Sequence, residues 1–303
     1  MNKLLINGQS FSVSNLEKVL FPTEGYTKGE LLYYYLQVAP YMLSHLKERP
    51  MVFTRYPDGI KGKSFYQKDA PAHLPDWITT FPWYSEESQR ELNFILIEDA
   101  ETLAWLANQA CLEFHPWLSR VDLVDYPDYI VFDLDPSPHN SFAQVAKIAQ
   151  IFQDLFHELR LSTYLKTSGS EGLHIFLPVQ NSYSYEEVRN IAHGIASIIV
   201  QTAPDMATIE RRVSQRGKRV YIDYLQNVRG KTVCAPYSVR ARPGAPVSTP
   251  ITWDELPHIT PQQFTIKTIL TRLQSTGDLF YPVLTHKQSL ENTLKLMGMA
   301  TKG

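Results

Sequence analysis

Long apolar runs are missing from this 303-residue chain. Leu4-Leu5-Ile6 is too short for a signal peptide or a membrane span, and no later run approaches the roughly 18 residues a spanning helix needs. A cytoplasmic protein with no membrane partner is expected. Cysteine is almost absent: Cys111 and Cys234 have neither zinc spacing nor a disulfide-rich setting, so both read as reduced packing thiols. With 14 glycines against 20 prolines there is no low-complexity tract, and no internal repeat stands out. An excess of positive charge is lacking too, since 29 lysines and arginines face 31 carboxylates. The chain has no Walker-type loop, no histidine pair at zinc spacing and no nucleophile elbow. Tyr56-Pro57-Asp58-Gly59 lacks the leading lysine of a nucleotidyl-lysine ligase motif, so the chain is not expected to ligate by itself.

What is present is a hydrophobic content of 44% with 20% charged residues, ordinary for a globular chain able to bury a core. Its basic charge is concentrated. From Arg211 to Arg242 the sole carboxylate, Asp223, stands among nine arginines and lysines, Arg216 included. Such a cluster suits a polyanion meeting a metal, although a solvated basic face has the same composition. The apolar run Tyr129-Ile130-Val131-Phe132 ends in Asp133-Leu134-Asp135. Side chains alternate along a strand, so the two aspartates share a face and can share a divalent cation. With Asp223 in a second strand, three carboxylates form an oxygen-only set for hard cations, and two metals on three carboxylates is an arrangement for phosphoryl transfer. An acidic pair at a strand end is by itself as readily a solvated edge. Lys166-Thr167-Ser168-Gly169-Ser170-Glu171-Gly172-Leu173-His174 adds a glycine-bearing turn whose amides and Ser168 hydroxyl suit phosphate oxygens, or else a plain hairpin turn.

The pattern predicts short strands at 4–6 and 11–13, and capping-box spacings at Ser14-Asn15-Leu16-Glu17 and Thr27-Lys28-Gly29-Glu30. The second box should open a helix to about His45 with Leu31, Leu32, Tyr35, Val38, Met42 and Leu46 inward. Strands follow at 51–56, 64–67 and 93–97, and a helix at 100–110. Next come strand 129–135, helix 142–160, strand 161–167, strand 173–178, helix 185–201 and strand 219–224. This β-α-β-β-α-β order is ferredoxin-like, or RRM-like, with the first strand between the third and fourth. It brings Asp133, Asp135, His174 and Asp223 onto neighbouring strands. Helices at 262–274 and 288–297 complete a C-terminal cover. The expectation is one α+β domain over 1–303, with an N-terminal α/β module at 1–125, a catalytic core at 126–245 and a helical cover at 246–303.

Six motifs then stand in order: Asn15-Leu16-Glu17-Lys18-Val19-Leu20-Phe21-Pro22, Glu113-Phe114-His115-Pro116-Trp117, Phe132-Asp133-Leu134-Asp135-Pro136, Ser168 to His174, Asp223-Tyr224-Leu225-Gln226-Asn227, and Ala235-Pro236-Tyr237-Ser238-Val239-Arg240-Ala241-Arg242. Together they resemble the polymerase domain of bacterial DNA ligase D, in the archaeo-eukaryotic primase superfamily. The resemblance implies a primase-polymerase fold and a ribonucleotide-preferring, template-directed nucleotidyltransferase that fills gaps and extends ends in non-homologous end joining. It implies two Mn²⁺ or Mg²⁺ ions on Asp133, Asp135 and Asp223. Ser168, Lys166, His174, Arg240, His115 and Gln226 would bind the nucleotide, with Phe65 and Tyr66 as a base-stacking pair. Asn15, Lys18 and Lys28 would hold a DNA 5′-phosphate, and Arg55 and Arg216 would contact DNA. The implied partners are gapped or broken DNA, NTP or dNTP, the bacterial Ku protein and a separate ATP-dependent DNA ligase, at the nucleoid. Lys28, at a helix start, has independent support from the unpaired amides there. Phe65 and Tyr66, as adjacent strand residues, face opposite ways and suit a core as well as a stacking platform. Two positions depart from the pattern: Glu171 replaces a lysine of many relatives, and Thr54 a basic residue often found before Arg55. Other readings are excision-repair gap filling or priming, a Mn²⁺-dependent glycosyltransferase, and a catalytically silent DNA-end-binding module.

Overall fold

The computed structural model describes residues 2–86, 88–138 and 140–298. Residues 299–303, the end of the expected C-terminal cover, lie outside them. The chain divides into two compact units, one of Met1–Asp122, Thr232–Thr249 and Gln262–Asp278, the other of Leu123–Lys231, Pro250–Pro261 and Leu279–Gly303. The stretch after 245, expected as a single cover, is thus shared between both.

In the first unit, the hairpin β1 (Asn2–Ile6) and β2 (Gln9–Val13) leads into the short pair β3 (Val19–Phe21) and β4 (Tyr26–Thr27). The first capping-box spacing opens no helix. Ser14 N donates to Asn108 Oδ1 at 3.4 Å, Asn15 takes a φ of 50°, and Val19 enters a strand. The second box forms as expected: Thr27 caps α1 (Lys28–Leu46), its hydroxyl accepting from Glu30 N while the Glu30 carboxylate accepts from Thr27 N. Leu31, Leu32, Tyr35, Val38, Met42 and Leu46 are all buried, which anchors the helix through its apolar stripe. Strand β5 (Met51–Arg55) lies between β6 (Phe65–Gln67) and a later strand, and β7 (Thr80–Ser85) pairs with β8 (Arg90–Ile95). Helix α2 (Ala100–Asn108) packs on α1, and β9 (Cys111–Pro116) completes the β6-β5-β9 sheet. The Thr232–Thr249 segment is stitched to β9 and α1: Ser238 Oγ accepts from Phe114 N at 3.0 Å, and the buried Tyr35 hydroxyl accepts from Val239 N at 2.9 Å.

The second unit holds β10 (Tyr129–Asp135), α3 (Phe142–Glu158), β11 (Tyr164–Thr167), β12 (Leu173–Pro178), α4 (Tyr185–Thr202), β13 (Ala207–Thr208), α5 (Val213–Arg216), β14 (Val220–Asp223) and β15 (Pro250–Ile251). Its sheet runs β13-β14-β10-β12-β11-β15, so β10 does sit between β12 and β14, as the ferredoxin-like order requires. Ile130, Phe132 and Leu134 share one face of β10, and Phe132 meets Phe152 and Phe156 of α3 at ring-centroid distances of 4.9 and 5.9 Å. By alternation, Asp133 and Asp135 are on the opposite face. Asn227, fully buried, fastens the strand by accepting from Val131 N and donating to Val131 O. Helix α6 (Ile269–Thr276) belongs to the first unit, and α7 (Pro282–Thr285) and α8 (Glu291–Leu296) to the second. No helix among the described residues is long and apolar enough to cross a membrane.

Candidate active site

The antiparallel register lines up a polar row across four strands of the second unit. Asp133 lies opposite Asp223 on one side and His174 on the other, and His174 lies opposite Lys166. Directly opposite residues share a face and bring their Cβ atoms to about 5 Å, so residues remote in sequence become neighbours. His174 Nε2 stands 3.3 Å from Asp133 Oδ1, and Lys166 Nζ donates to His174 Nδ1 at 2.7 Å. With Lys166 charged, its ammonium has only protons to offer, so Nδ1 accepts and the ring proton sits on Nε2, on the side of Asp133. Lys166 is fully buried and His174 nearly so, while the three aspartates stay partly exposed.

Asp223 is held by three donors: Tyr221 hydroxyl at 3.2 Å and Leu225 N at 3.0 Å on Oδ1, and Gln226 Nε2 at 3.1 Å on Oδ2. Even so, its carboxyl is pushed up, first by burial and then by the charge of Asp133. Among the described residues no group of three or more histidine, cysteine, aspartate or glutamate side chains is arranged as it stands to hold a metal ion. The donors nevertheless fit one. They are hard carboxylate oxygens, and the repulsion raising Asp223 is what a bound dication relieves.

The turn beside this row closes partly on itself. Ser168 Oγ accepts from Ser170 N at 3.2 Å and Gly172 N at 3.1 Å, so these amides, expected to face phosphate, serve the turn. Gly169 has a φ of 73°, and a Cβ on Gly172 would stand 2.4 Å from Leu134 O. Only glycine lets the turn approach β10 between Asp133 and Asp135. Arg216, expected on DNA, folds back: its guanidinium stacks 3.6 Å from the Tyr221 ring centroid and donates to the Glu210 and Arg211 carbonyls.

The first unit carries two further polar groups. In one, the Glu113 carboxylate accepts from Arg240 Nε at 3.1 Å and Ala241 N at 3.0 Å, and its other oxygen is 3.4 Å from His115 Nε2. Burial alone would raise the Glu113 carboxyl, but the His115 hydrogen bond and the Arg240 charge hold it down to about 2. It is therefore anionic in the fold, and protons bind it more readily in the unfolded chain. Its contribution to stability, on the order of 3 kcal/mol, is complete above its unfolded value of 4.5 and falls away as pH drops toward 2. Chemical denaturation at several pH values should show the parent losing its advantage over Glu113→Gln between those limits. A gap unchanged down to pH 2 would contradict this.

In the other group, Lys28 is buried and donates to Asn108 O at 2.9 Å, and its pKa is lowered by burial and then by the nearby Lys18 charge. Lys18, exposed, pairs with Asp58 at 2.7 Å. Lys18 N donates to Asn15 O and Lys28 N to Lys18 O, so backbone contacts gather all three expected 5′-phosphate residues. Phe65 and Tyr66 are both exposed on β6, which excludes a core role for either. Arg55 donates to Gln109 O and Gln67 Oε1, and Thr54 is buried opposite Glu113.

Sequence reasoning passed over Glu113 and Tyr221. Each stands two residues before a residue it did select, His115 and Asp223, and the period-two rule that joined Asp133 to Asp135 applies to both pairs.

A ferredoxin-like sheet that presents aspartates side by side from its first and fourth strands is an arrangement suited to phosphoryl transfer. Comparison with known proteins narrows this. The family model "LigD, primase-polymerase domain" matches residues 27–280. The bifunctional non-homologous end joining protein LigD of Bacillus subtilis is 34% identical over 88% of this chain and 43% of its own length. The multifunctional LigD of Mycolicibacterium smegmatis is 34% identical over 89% of this chain and 36% of its own. The solved polymerase domain of Mycobacterium tuberculosis Ligase D in complex with DNA is 31% identical with a TM-score of 0.84, over 92% of this chain and 99% of that one. The chain belongs to the LigD primase-polymerase domain family, and it spans less than half the length of the curated relatives it matches.

Proposed function

We propose that this chain is a template-directed nucleotidyltransferase that fills gaps and extends broken ends, with a preference for ribonucleotides, in bacterial double-strand break repair by end joining. The observation that carries the reading is the direct pairing of Asp133 with Asp223 beside His174 and Lys166, in a chain that matches the primase-polymerase family along most of its length. Asp133, Asp135 and Asp223 would hold two Mn²⁺ or Mg²⁺ ions. When bound, these supply the Lewis acidity that activates a primer 3′-hydroxyl and neutralises the leaving pyrophosphate. Lys166 keeps the His174 ring in one tautomer, so that Nε2 presents a proton as a donor for developing phosphate charge. Tyr221, Leu225 and Gln226 fix the Asp223 carboxylate. Ser168 adds a hydroxyl for the triphosphate. Arg240 and His115 are assigned to nucleotide binding, and the exposed Phe65 and Tyr66 to stacking on bases.

The Asn15, Lys18 and Lys28 group is assigned to the 5′-phosphate at the downstream edge of a gap. The Lys28 pKa, lowered by burial and then by the Lys18 charge, supports this, because a half-desolvated ammonium beside a second one gains from a shared anion. Replacing Lys18 with alanine should erase any preference for a 5′-phosphorylated gap and reduce the salt slope of DNA binding by about one. Fluorescence anisotropy with phosphorylated and unphosphorylated duplexes measures both, and a retained preference would remove Lys18 from the pocket. The expected partners are gapped or broken DNA, NTP or dNTP, the bacterial Ku protein and an ATP-dependent DNA ligase, in the cytoplasm at the nucleoid. Single-nucleotide extension on a gapped duplex, with each NTP and dNTP and with Mn²⁺ or Mg²⁺, tests the proposal. Metal- and template-dependent incorporation is expected, and its absence under all conditions would refute it.

A further inference from the structure

We propose that Glu113 is a positioning residue for nucleotide binding: its buried carboxylate fixes the poses of the Arg240 guanidinium and the His115 ring. The inference rests on the assignment of those two residues to the nucleotide and deepens it by naming what sets their geometry.

Glu113 and His115 are two apart on β9 and share a face, while Leu112 and Phe114 are wholly buried on the other. A strand in this setting gains most from an apolar residue at a position only 8% exposed, because an ionised carboxylate there must recover its desolvation through partners. Each oxygen of Glu113 has a partner. Oε1 takes Arg240 Nε at 3.1 Å and Ala241 N at 3.0 Å, so it holds both the side chain and the backbone of the arginine's loop, and Oε2 faces His115 Nε2 at 3.4 Å. Nε is the donor nearest the arginine's flexible stem, and gripping it orients the whole planar guanidinium. Bonding to Oε2 likewise fixes the His115 ring plane. A long arginine left to wander would pay its rotamer entropy when a triphosphate binds, whereas one held beforehand does not. Glu113 therefore acts through Arg240 and His115, without itself facing the anionic ligand.

The bond to Ala241 N also offers a purely structural role, stitching β9 to the following loop, and the experiment has to separate the two. The parent, Glu113→Gln, Glu113→Ala, Arg240→Ala, His115→Ala and the double variant Glu113→Gln/Arg240→Ala are compared by calorimetric titration with a nucleoside triphosphate and by steady-state extension, with melting temperatures as the fold control. Glutamine keeps shape and an acceptor for Ala241 N but removes the charge, so it carries the test if alanine fails to fold. The expected result is that Glu113→Gln weakens nucleotide binding and raises KM about tenfold with kcat changed less than about threefold. The same change added to Arg240→Ala should cost less than about twofold more, since the residue to be positioned is gone. Lower melting temperatures with KM and affinity unchanged in Glu113→Gln would overturn the proposal in favour of the structural role. Additive losses in the double variant would overturn it as well. If Arg240→Ala and His115→Ala both leave nucleotide affinity intact, the assignment beneath the proposal has failed, and that outcome is recognised without reference to Glu113.

Discussion

Alanine at Asp133 or Asp223 is expected to reduce metal-dependent nucleotide incorporation about a thousandfold, equivalent to about 4 kcal/mol of barrier, without unfolding the chain. The two carboxylates are direct cross-strand neighbours, and each loads the other with repulsion: Asp223 is pushed up by burial and then by the charge of Asp133. Removing one relieves the other, so the melting temperature should hold or rise while activity collapses. This opposite movement separates loss of a metal ligand from loss of the fold. Initial rates of single-nucleotide extension and a thermal melt on the same preparations test it. Parent-like incorporation by either variant would contradict the ligand assignment, and a large fall in melting temperature would show that these carboxylates support the fold instead.

Alanine at Gly172 is expected to damage both stability and activity. Its Cβ would stand 2.4 Å from the Leu134 carbonyl oxygen, a backbone atom in the middle of a sheet that cannot swing aside. Overpacking of this kind costs about 2 kcal/mol, or roughly 3 °C in melting temperature for a chain of this length. Leu134 lies between Asp133 and Asp135, so the shift that makes room for one methyl group displaces the carboxylates, and a tenfold loss of extension rate is about what a sub-ångström misplacement brings. A variant with parent-like melting and rate would mean that the turn does not press on β10.

The central strands were legible because their chemistry is local. The run that ends in Asp133 and Asp135 and the run Leu173–Pro178 match β10 and β12 residue for residue, since an apolar stretch bounded by turn residues admits few alternatives. The polar row followed from topology: the β-α-β-β-α-β order sets β10 between β12 and β14, and pairing then does the rest. Failures fell where distant or side-chain partners decide the backbone. The strand expected from Leu161 starts only at Tyr164, because Ser162 N donates to Gln288 Oε1 and Thr163 O accepts from Trp253 Nε1. The helix expected from Gln262 starts at Ile269, after Thr265 and Thr268 have used their hydroxyls on the backbone of 263–267. Strand β7 went unread because Pro82 interrupts it, which a two-stranded edge tolerates and a pattern does not forgive. Among site residues, the three aspartates and His174 could be placed from spacing and strand order. For Glu113 and Tyr221 the same spacing gives only the shared face; their partners it does not give, because Arg240 lies far along the chain from Glu113 and Arg216 reaches Tyr221 only where a short loop folds back.

The proposed polymerase chemistry requires the Asp133, Asp135 and Asp223 carboxylates to bind cations together. Calorimetric titration of Mn²⁺ into the protein, with and without a nucleoside triphosphate, measures that directly. Two ions per chain are predicted in the presence of nucleotide for the parent, with at least one lost in Asp223→Asn. The same stoichiometry and affinity in parent and variant would contradict it.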